Sequence, residues 1–370
     1  MSTALFTPLK LRSVEFANRI GMAPMCQYSA RDGFANDWHL VHLGSRAQGG
    51  AGMIMLEATA VTPQGRISPG DLGLWKDEQI FGLKRIVDFI HSQGVRAGVQ
   101  LAHAGRKASM SIPFAGERLL SDAEGGWQTV APSPLPFAEN TGQPVALDQA
   151  GIEAVVAAFA QAARRAGEAG FDFVEIHAAH GYLLHQFLSP LSNQRKDNYG
   201  GSFANRSRLV LEVVDAVRAA WPAHLPLLVR ISATDWREGG WNPDESVELS
   251  RLFREHGVDL VDVSTGALVP HAQIPVGPHF QVEFARRIRR EAGIPTAAVG
   301  LITDPARANA IVQDGDADLV LLGRELLRNP FWPEEAAEAL KEPASWPVQY
   351  IRAAPKGATQ REPLTQDKVG

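Results

Sequence analysis

Two histidines and a tyrosine stand close together in the run His-Ala-Ala-His-Gly-Tyr at positions 177–182. A single histidine in such a run would more often be a buried residue with a structural hydrogen bond. Two imidazoles, from His177 and His180, followed by the phenol of Tyr182, can donate hydrogen bonds to an oxygen atom and transfer a proton. We therefore predict that these side chains bind and activate a small molecule.

A metal site is the competing interpretation of the two histidines. His103 and Cys26 could complete a set of nitrogen and sulfur ligands of the kind that zinc prefers. Against a metal, no carboxylate stands beside His177 and His180 in their motif. A metal-dependent barrel hydrolase that uses His103, His177 and His180 is therefore the alternative function.

Cys26 is the only cysteine of the chain, so neither a disulfide within the chain nor a cluster of thiolate ligands can form. A lone cysteine is usually an inert, small core residue. It can also be a nucleophile. Its neighbours in the run Pro-Met-Cys-Gln-Tyr leave the choice between these two roles open.

Two arginines follow apolar runs, and each of them indicates an anion. Arg230 ends the run Leu-Pro-Leu-Leu-Val-Arg, where burying its charge would be costly without an anionic partner. That partner is either a neighbouring carboxylate, in a structural ion pair, or the anionic edge of a reduced flavin. Gly323 and Arg324 follow the last apolar run and, with Gly300, favour a phosphate site over a simple tight turn.

Eight short apolar runs must position these side chains, and they alternate with helical patterns along the chain. The runs are continuously hydrophobic, as is typical of parallel strands that are covered on both faces. Eight strand–helix units in sequence predict a closed (β/α)8 barrel, in which the ends of the strands carry the active site. The predicted strands are 19–23, 52–57, 96–102, 173–177, 225–231, 259–264, 295–299 and 318–323.

Capping residues mark several of the helices between these strands. In one helix, Pro243 stands at the first helical position and Glu245 completes a capping box. The predicted N-caps are Asn36 or Asp37, Asp148, Asn242 and Asp304.

A doubly wound sheet is the competing fold. It would normally carry a glycine-rich dinucleotide fingerprint after its first strand. The nearest sequence, Gly-Gly-Ala-Gly at 49–52, precedes a strand and lacks the third glycine of that fingerprint. We therefore predict one barrel domain over residues 1–341, with long loops (103–147 and 178–202) over its C-terminal face. A Pro-rich, polar tail over 342–370 follows the barrel.

The composition predicts which partners the protein has. Its net charge of −5 provides no basic surface for nucleic acid or for an anionic membrane. The N-terminus lacks the basic and apolar regions of a signal peptide, and no apolar stretch is long enough to span a bilayer. We therefore expect a cytoplasmic protein that acts on small molecules.

Six motifs at or near the strand ends together resemble the signature set of the Old Yellow Enzyme family. The similarity runs from Leu5 to about Arg352, and Cys26, Tyr28 and His180 resemble the thermophilic-like branch of the family. Each motif alone would be weak, whereas the set is specific. The motifs are Ala-Pro-Met-Cys-Gln-Tyr at 23–28, Leu-Glu-Ala-Thr at 56–59, Gln-Leu-Ala-His-Ala-Gly-Arg-Lys at 100–107, His-Ala-Ala-His-Gly-Tyr at 177–182, Asn-Gln-Arg-Lys-Asp-Asn-Tyr-Gly-Gly-Ser at 193–202 and Asn-Arg-Ser-Arg at 205–208.

The resemblance implies an FMN cofactor that lies across the mouth of the barrel. His177 and His180 would donate hydrogen bonds to the carbonyl oxygen of a substrate, and Tyr182 would be its proton donor. Tyr28 would line the substrate pocket, and Cys26 would tune the flavin's potential without attacking the substrate. The residues implied to hold FMN are Ala23, Pro24, Met25, Cys26, Ala58, Gln100 and Arg230 at the ring, and Gly323 and Arg324 at the phosphate.

The same resemblance implies a reaction cycle and an assembly. NADPH, with NADH as the alternative, would reduce the flavin and leave. An α,β-unsaturated carbonyl or nitro compound would then take its place, which predicts ping-pong kinetics. Arg352, in the run Pro-Val-Gln-Tyr-Ile-Arg, would reach the site of a neighbouring subunit in a homodimer or homotetramer. The residues after Arg352 would be disordered or an added extension. A flavin-binding or storage protein without catalytic activity is a further alternative.

Overall fold

Eight parallel strands close into a barrel, in a computed structural model that describes residues 3–364. Each barrel strand pairs with the next one in chain order, and the first also pairs with the eighth, so the sheet has no free edge. The prediction of a (β/α)8 barrel is therefore confirmed. The barrel strands, from first to eighth, are Ile20–Met22, Met53–Ala60, Arg96–Ala102, Phe173–Ala178, Leu227–Ser232, Leu260–Ser264, Thr296–Val299 and Leu319–Leu322.

Helices follow each strand and cover the outside of the barrel. Their apolar residues recur at helical spacing, as Leu83, Ile86, Val87 and Ile90 do on the buried face of the second helix. The helices are α1 (Asp37–Gln48), α2 (Ile80–Ser92), α3 (Gln149–Ala169), α4 (Leu183–Leu188), α5 (Phe203–Ala220), α6 (Pro243–Glu255), α7 (Val282–Ala292), α8 (Pro305–Gln313), α9 (Arg324–Arg328) and α10 (Trp332–Ala339).

Side-chain caps begin several of these helices at the predicted positions. The carboxylate of Asp148 accepts the backbone N–H of Gly151 at 2.8 Å, and that of Asp304 accepts the N–H of Arg307 at 2.8 Å. Asn36 caps α1 in the same way. Each cap satisfies an N–H group that has no partner within its own helix, which fixes where the helix begins.

The capping box predicted for α6 is wrong in one detail. Asn242 is the N-cap, because its side-chain oxygen accepts the backbone N–H groups of Asp244 and Glu245 at 3.0 and 3.1 Å. The carboxylate of Glu245, however, accepts from the side-chain amide of Asn242 at 3.1 Å and pairs with Arg206. A neighbouring cation from α5 therefore draws this carboxylate away from the backbone of the cap.

The barrel strands are buried on both faces of the sheet. Every residue of the second to fifth strands is buried, as the continuous hydrophobic runs predict. A hairpin formed by Leu9–Leu11 and Val14–Phe16 packs near the N-terminal end of the barrel. There the ring of Phe16 meets that of Phe173 edge to face, with centroids 5.6 Å apart.

The two long loops meet over the C-terminal face, where the sequence predicts them. Loop 103–147 contains the short paired strands Val130–Ala131 and Val145–Ala146. Loop 178–202 contains α4. Side chains from both loops line one cavity, described below, so the loops form the walls of the barrel mouth.

The C-terminal tail packs against the helices of the barrel. Strand Ser345–Trp346 pairs with Thr359–Gln360, and the side chain of Arg361 donates to two carbonyls at the end of α1 at 2.8 and 3.0 Å. Arg361 also pairs with Glu334 of α10 at 3.0 Å. The expectation that the chain after Arg352 is disordered is therefore wrong as far as the structure describes it.

The chain ends and the cellular location are predictions that stand apart from the fold. Residues 1–2 and 365–370, which belong to the predicted barrel domain and tail, lie outside the described residues. Within residues 3–364, no helix combines the length and the hydrophobicity needed to cross a membrane. The cytoplasmic location stays a prediction.

Candidate active site

The carboxyl ends of neighbouring strands bring the predicted catalytic residues together. His177, in the fourth strand, lies opposite Arg230 of the fifth strand in the parallel register. The chain then turns over the mouth, and the ring of His177 contacts those of His180 and Tyr182 edge to face, with centroids 5.2 and 5.0 Å apart. The three groups of one short motif thus form a single cluster.

The hydrogen bond made by His177 fixes which of its nitrogens carries the proton. Its Nδ1 accepts the backbone N–H of Ala179 at 3.3 Å, so the neutral ring carries its proton on Nε2. Burial, together with the positive charge of Arg230, holds the pKa of His177 well below its usual range. His177 is therefore a neutral hydrogen-bond donor.

His180 is held in a strained conformation by two side chains. Its φ of 56° lies in the left-handed region, which residues other than glycine rarely adopt. Its backbone N–H donates to Ser232 Oγ at 3.0 Å, and its carbonyl accepts from Lys107 Nζ at 2.9 Å. Its Nε2 lies 2.8 Å from Ser264 Oγ, and burial holds the pKa of His180 well below its usual range. The ring is thus neutral and fixed in orientation.

A glycine that the fold requires places Tyr182 at the mouth. Gly181 has a φ of 72°, and a Cβ at this position would lie 2.4 Å from the carbonyl oxygen of Ala267. Tyr182 follows it and lines a cavity of about 290 Å³ together with Tyr28 and Lys107. Burial holds the pKa of Tyr182 well above its usual value, so the phenol keeps its proton.

The loop after the first strand forms another wall of the mouth. Ala23 is buried at the end of the strand, where its N–H donates to the carbonyl of Leu322 at 3.0 Å. Residues 24–26 are half-exposed, so this loop is accessible to a molecule bound at the mouth. The carboxylate of Glu57 holds this loop, because its Oε2 accepts the backbone N–H of Gln27 at 2.9 Å.

The surroundings of Cys26 keep its thiol protonated, so the sulfur is not activated as a nucleophile. Burial, and then the negative charges of Asp71 and Glu57, raise the pKa of Cys26 well above its usual value. The backbone of Ala58, another residue predicted to contact the cofactor, has a smaller, opposite effect on this pKa. Since a nucleophilic cysteine needs a thiolate, this environment favours a contact role over covalent chemistry.

Arg230 forms one of the two kinds of contact that the sequence left open. It is buried, and its Nε lies 2.9 Å from Oδ2 of Asp262 on the sixth strand, so the structural ion pair exists. Asp262 is its one ion-pair partner within residues 3–364, and the contact is made through Nε. The two terminal nitrogens of the guanidinium are therefore left for an anion at the mouth.

Gln100 lies on the third strand, separated from Arg230 by the fourth strand. Its side-chain amide donates to Glu175 Oε1 at 2.7 Å, which fixes the orientation of the amide group. The amide oxygen of Gln100 accepts no hydrogen bond within the described part of the chain. Gln100 and Arg230 can thus offer an acceptor and a pair of donors to a flat ring.

A second cavity, of about 250 Å³, lies where the seventh and eighth strands end. Gly300, Gly323, Arg324 and Arg328 are among the residues that line it, and both guanidinium groups are exposed. Gly300 has a φ of 124°, a conformation that favours glycine. Two arginines at a cavity floored by backbone suit a phosphate, as the sequence predicts.

The metal-dependent alternative finds no site in the part of the chain that the structure describes. No group of three or more His, Cys, Asp or Glu residues there could hold a metal ion. His103 is buried, and its Nδ1 accepts the backbone N–H of Gly105 at 3.1 Å. This hydrogen bond explains His103 as a structural residue of the loop, so the hydrolase hypothesis is not supported.

Arg352 does not belong to the mouth of its own chain. It is exposed on the tail and lines neither of the two cavities. The nearby ring of Tyr350 contacts Phe331, with centroids 6.3 Å apart, which holds this part of the tail beside α10. A role for Arg352 therefore requires a second subunit.

Several residues at the site were missed by the sequence interpretation. Lys107 was noted only as part of a motif, although it holds the backbone of His180. Glu175 and Asp262 lie fully buried within otherwise apolar strands. That placement is the same signal that identified Arg230, and it could have identified them as well.

Comparisons with known proteins agree with this geometry. The chain matches the model of the NADH:flavin oxidoreductase / NADH oxidase family over residues 4–342. It is 51% identical over 351 residues to an NADPH dehydrogenase of Listeria innocua, covering 94% of this chain and 98% of that protein. An NADPH dehydrogenase of Geobacillus thermodenitrificans is also 51% identical, over 354 residues, covering 95% and 99%. The structure of morphinone reductase in complex with tetrahydroNAD is similar, with a TM-score of 0.76, 31% identity and 92% of each chain covered.

Proposed function

The chain belongs to the NADH:flavin oxidoreductase / NADH oxidase family, that of Old Yellow Enzyme, and on this premise we propose that it is an FMN-dependent ene-reductase. It takes reducing equivalents from NADPH and reduces the C=C bond of α,β-unsaturated carbonyl or nitro compounds. The observation that carries the proposal is the cluster of two neutral imidazoles and a protonated phenol, His177, His180 and Tyr182, beside the uncommitted nitrogens of Arg230.

The mouth of the barrel fits FMN. FMN, when bound, supplies the atom that accepts hydride from NADPH and passes it to the alkene. Arg230 and Gln100 offer donors and an acceptor to one edge of a flat ring, and the second cavity offers arginines to a phosphate. We assign the cofactor contacts to Ala23, Pro24, Met25, Cys26, Ala58, Gln100, Arg230, Gly300, Gly323 and Arg324.

His177 and His180 act on the oxygen of the substrate. His177 donates from its protonated Nε2, and His180 donates from Nδ1 when Ser264 Oγ donates to its Nε2. Both hydrogen bonds stabilise the negative charge that builds on a carbonyl or nitro oxygen when hydride reaches the β-carbon. Their lowered pKa values keep them neutral, so they bind this oxygen without passing it a full proton. Loss of one such donor in other enzymes reduces kcat by about 10²–10³-fold.

Tyr182 completes the reduction as the proton donor. Its phenol stays protonated at working pH and lines the same cavity as Tyr28. A proton donor in this position gives a proton to the α-carbon of the substrate while the histidines bind its oxygen. Cys26, which stays a thiol, contacts the cofactor and does not attack the substrate.

Steady-state kinetics with 2-cyclohexen-1-one test this function. Because NADPH and the alkene share one cavity, NADPH oxidation should give parallel lines in double-reciprocal plots at several alkene concentrations. Intersecting lines would contradict the shared cavity, and no alkene-dependent oxidation would contradict the function.

A variant of one donor separates the chemistry from folding. His177→Ala should retain bound FMN and lower kcat for the alkene by about 10²–10³-fold, because one charge-stabilising hydrogen bond is lost. The matched control is His103→Ala, which removes a buried histidine that does not contact the substrate. A comparable loss in both variants would mean that the effect is structural.

We extend the proposal to an assembly of identical subunits. Arg352 is exposed on a tail that is fastened to its own barrel, and it lines neither of the two cavities described above. In a homodimer or homotetramer it would enter the mouth of a neighbouring subunit and contact the substrate there. The partners of the assembled enzyme are small molecules, in keeping with its net charge of −5.

A further inference from the structure

Four polar side chains are buried in adjacent strands directly below the mouth of the barrel. They are Gln100, Glu175, Arg230 and Asp262, from the third to the sixth strand, and each is at most 5% exposed. The strand register places Glu175 opposite Gln100 and Asp262 opposite Arg230. Side chains that share a register in neighbouring parallel strands point to the same face. Leu228, which is opposite Glu175, lies two residues before Arg230, so all four side chains face the same side of the sheet.

The contacts within this network leave several carboxyl oxygens without a donor. Gln100 donates to Glu175 Oε1 at 2.7 Å, and Arg230 Nε lies 2.9 Å from Asp262 Oδ2. The two carboxyl groups are close enough for each to affect the pKa of the other. No N–H or O–H group in the described residues, however, donates to Glu175 Oε2 or to either oxygen of Asp262 with good geometry.

The charges of the network do not balance if both carboxyl groups are ionised. Two carboxylates and one guanidinium would leave one uncompensated negative charge in a fully buried site, which is costly. One proton removes that charge and supplies the missing donor at the same time. We propose that Glu175 carries this proton and donates it to Asp262, so that Asp262 is held as the counter-ion of Arg230.

The assignment of the proton to Glu175 follows from the position of the arginine. Asp262 contacts the guanidinium directly, which favours its ionised form, whereas the direct neighbour of Glu175 is the neutral amide of Gln100. Burial, and then the charge of Asp262, raise the pKa of Glu175 well above its usual value. Glu175 and Asp262 are thus positioning residues, which act on the mouth through Arg230.

The consequence for the reaction rests on the proposed function. The hydrogen bond from Glu175 fixes Asp262, and Asp262 fixes the guanidinium so that its terminal nitrogens face the mouth. The negative charge of Asp262 also offsets part of the attraction that Arg230 exerts on an anionic, reduced flavin. The pair therefore sets how strongly the protein stabilises reduction of its cofactor.

Two isosteric substitutions test the protonation states in the holoenzyme. Glu175→Gln replaces a protonated carboxyl by a neutral amide and should leave the midpoint potential of the flavin unchanged. Asp262→Asn removes a real negative charge and should shift this potential to a more positive value. An equal shift in both variants, or a shift in Glu175→Gln alone, would overturn the assignment.

A matched control variant removes a buried carboxylate elsewhere in the barrel. Asp172 pairs with Arg96 at 2.9 Å and lies at the start of the fourth strand, the opposite end from His177. Asp172→Asn should therefore leave the flavin potential unchanged even though it destabilises the fold. A shift in this control as large as that in Asp262→Asn would mean that the potential reports general loosening and would overturn the inference.

Infrared spectroscopy of the flavin-free protein tests the proton itself, independently of the proposed function. The carbonyl stretch of a protonated carboxylic acid should persist in the wild type and disappear in Glu175→Gln. Burial raises the pKa values of Asp71 and Glu334 to about 7, so these groups would give the same kind of band when protonated. Spectra should therefore be taken well above pH 7, where both are ionised. If the band is absent in the wild type, or survives in Glu175→Gln, Glu175 does not carry the proton. Failure of flavin binding with this band present would instead contradict the function alone.

Discussion

The backbone of His180 shows how a single residue can shape this site. Its φ of 56° is strained, and the strain persists because Ser232 and Lys107 hold the two polar groups of its backbone. The same conformation turns the chain so that Gly181 and Tyr182 pass over the mouth. Three neighbouring side chains can therefore face one bound molecule from different sides.

Substitution of Tyr182 separates the two halves of the reaction. Tyr182→Phe removes the proton donor while it keeps the ring that packs against His177, so alkene reduction should slow by about 10²–10⁴-fold. Reduction of the flavin by NADPH needs no proton from this phenol and should keep its rate. Stopped-flow absorbance measures both steps, and equal slowing of the two would contradict the role of Tyr182 as the proton donor.

Lys107 should impose a limit on activity at alkaline pH. Burial, and then the charge of Arg106, lower the pKa of Lys107 to about 8. Below that pH its ammonium donates to the carbonyls of His180 and Ala267, at 2.9 and 3.0 Å. As pH rises through about 8 the ammonium loses its proton, and kcat/KM for the alkene should fall because the neutral amine is a weaker donor and holds His180 less firmly.

The pH profile of a variant checks this prediction. Lys107→Met should be slower than the wild type at neutral pH and should lose the alkaline decline. Lys107→Arg, which keeps a charge, should move the decline to higher pH. An unchanged profile in both variants would show that another group causes the decline.

At the residue scale, the sequence predicts the cluster but not all of its supports. His177, His180 and Tyr182 share one motif, so their proximity can be predicted from spacing alone. The partner of Arg230 cannot, because Asp262 lies 32 positions further along the chain and meets it only through the register of two strands. Lys107 is likewise placed by the path of a long loop, which local sequence does not determine.

Among the elements, the turn between the fourth strand and α4 shapes the mouth most directly. The chain must pass close to residues 267 and 268 there, and only glycine leaves room at position 181. α4 begins immediately after Tyr182, so the turn fixes both the phenol and the helix. A change in this turn should affect stability and catalysis together.

Gly181→Ala should destabilise the protein through a steric clash as well as through backbone strain. A left-handed φ alone costs about 1–2 kcal/mol in a residue with a Cβ. Gly201→Ala is the matched control, because its φ is 82° and a Cβ there would have nothing within 4 Å. Thermal or urea unfolding should show a larger loss for Gly181→Ala, whereas equal losses would mean that the turn can relax.

The elements are also where the sequence predicts most. The continuous apolar runs predicted the strands, because a parallel strand that is covered on both faces has no solvent-exposed side that would need polar residues. Asp148 and Asp304 marked helix starts because a cap acts over only a few residues. Glu245 departed from its predicted capping contact because Arg206, distant in sequence, competes for its carboxylate.

Over the whole molecule, two polar contacts fasten the tail to the barrel: the largely buried side chain of Arg361 and a backbone hydrogen bond from Leu364 to the carbonyl of His91 at 3.0 Å. Arg361 donates to the carbonyls that end α1 and pairs with Glu334, which is itself buried. Val348 and Tyr350 of the tail are exposed, so we expect these polar contacts to contribute most to its attachment. The family resemblance implied that the residues after Arg352 are disordered or an added extension, and nothing in the Pro-rich, polar composition of the tail indicates the contacts of Arg361.

Arg361→Ala should release the tail and lower stability, because it leaves the buried carboxylate of Glu334 without its partner. Loss of one member of a buried ion pair costs about 3–5 kcal/mol. Arg352→Ala is the matched control, since Arg352 is exposed and should leave the melting temperature unchanged. If Arg361→Ala melts like the wild type, the anchor is not needed.

The control variant Arg352→Ala also tests the assembly of subunits. In the oligomer, Arg352→Ala should raise KM for the alkene with little change in kcat, because the side chain enters a neighbouring mouth. Unchanged kinetics in an unchanged oligomer would contradict the shared site. A monomer by light scattering would contradict the assembly itself.

Anaerobic titration of the purified holoenzyme tests the central claim, that the barrel mouth holds a flavin on which NADPH and an alkene react in turn. The yellow flavin spectrum should bleach after one equivalent of NADPH and return after one equivalent of 2-cyclohexen-1-one, with the saturated ketone as product. A protein that binds no flavin, or whose reduced flavin is not reoxidised by the alkene, would contradict the account.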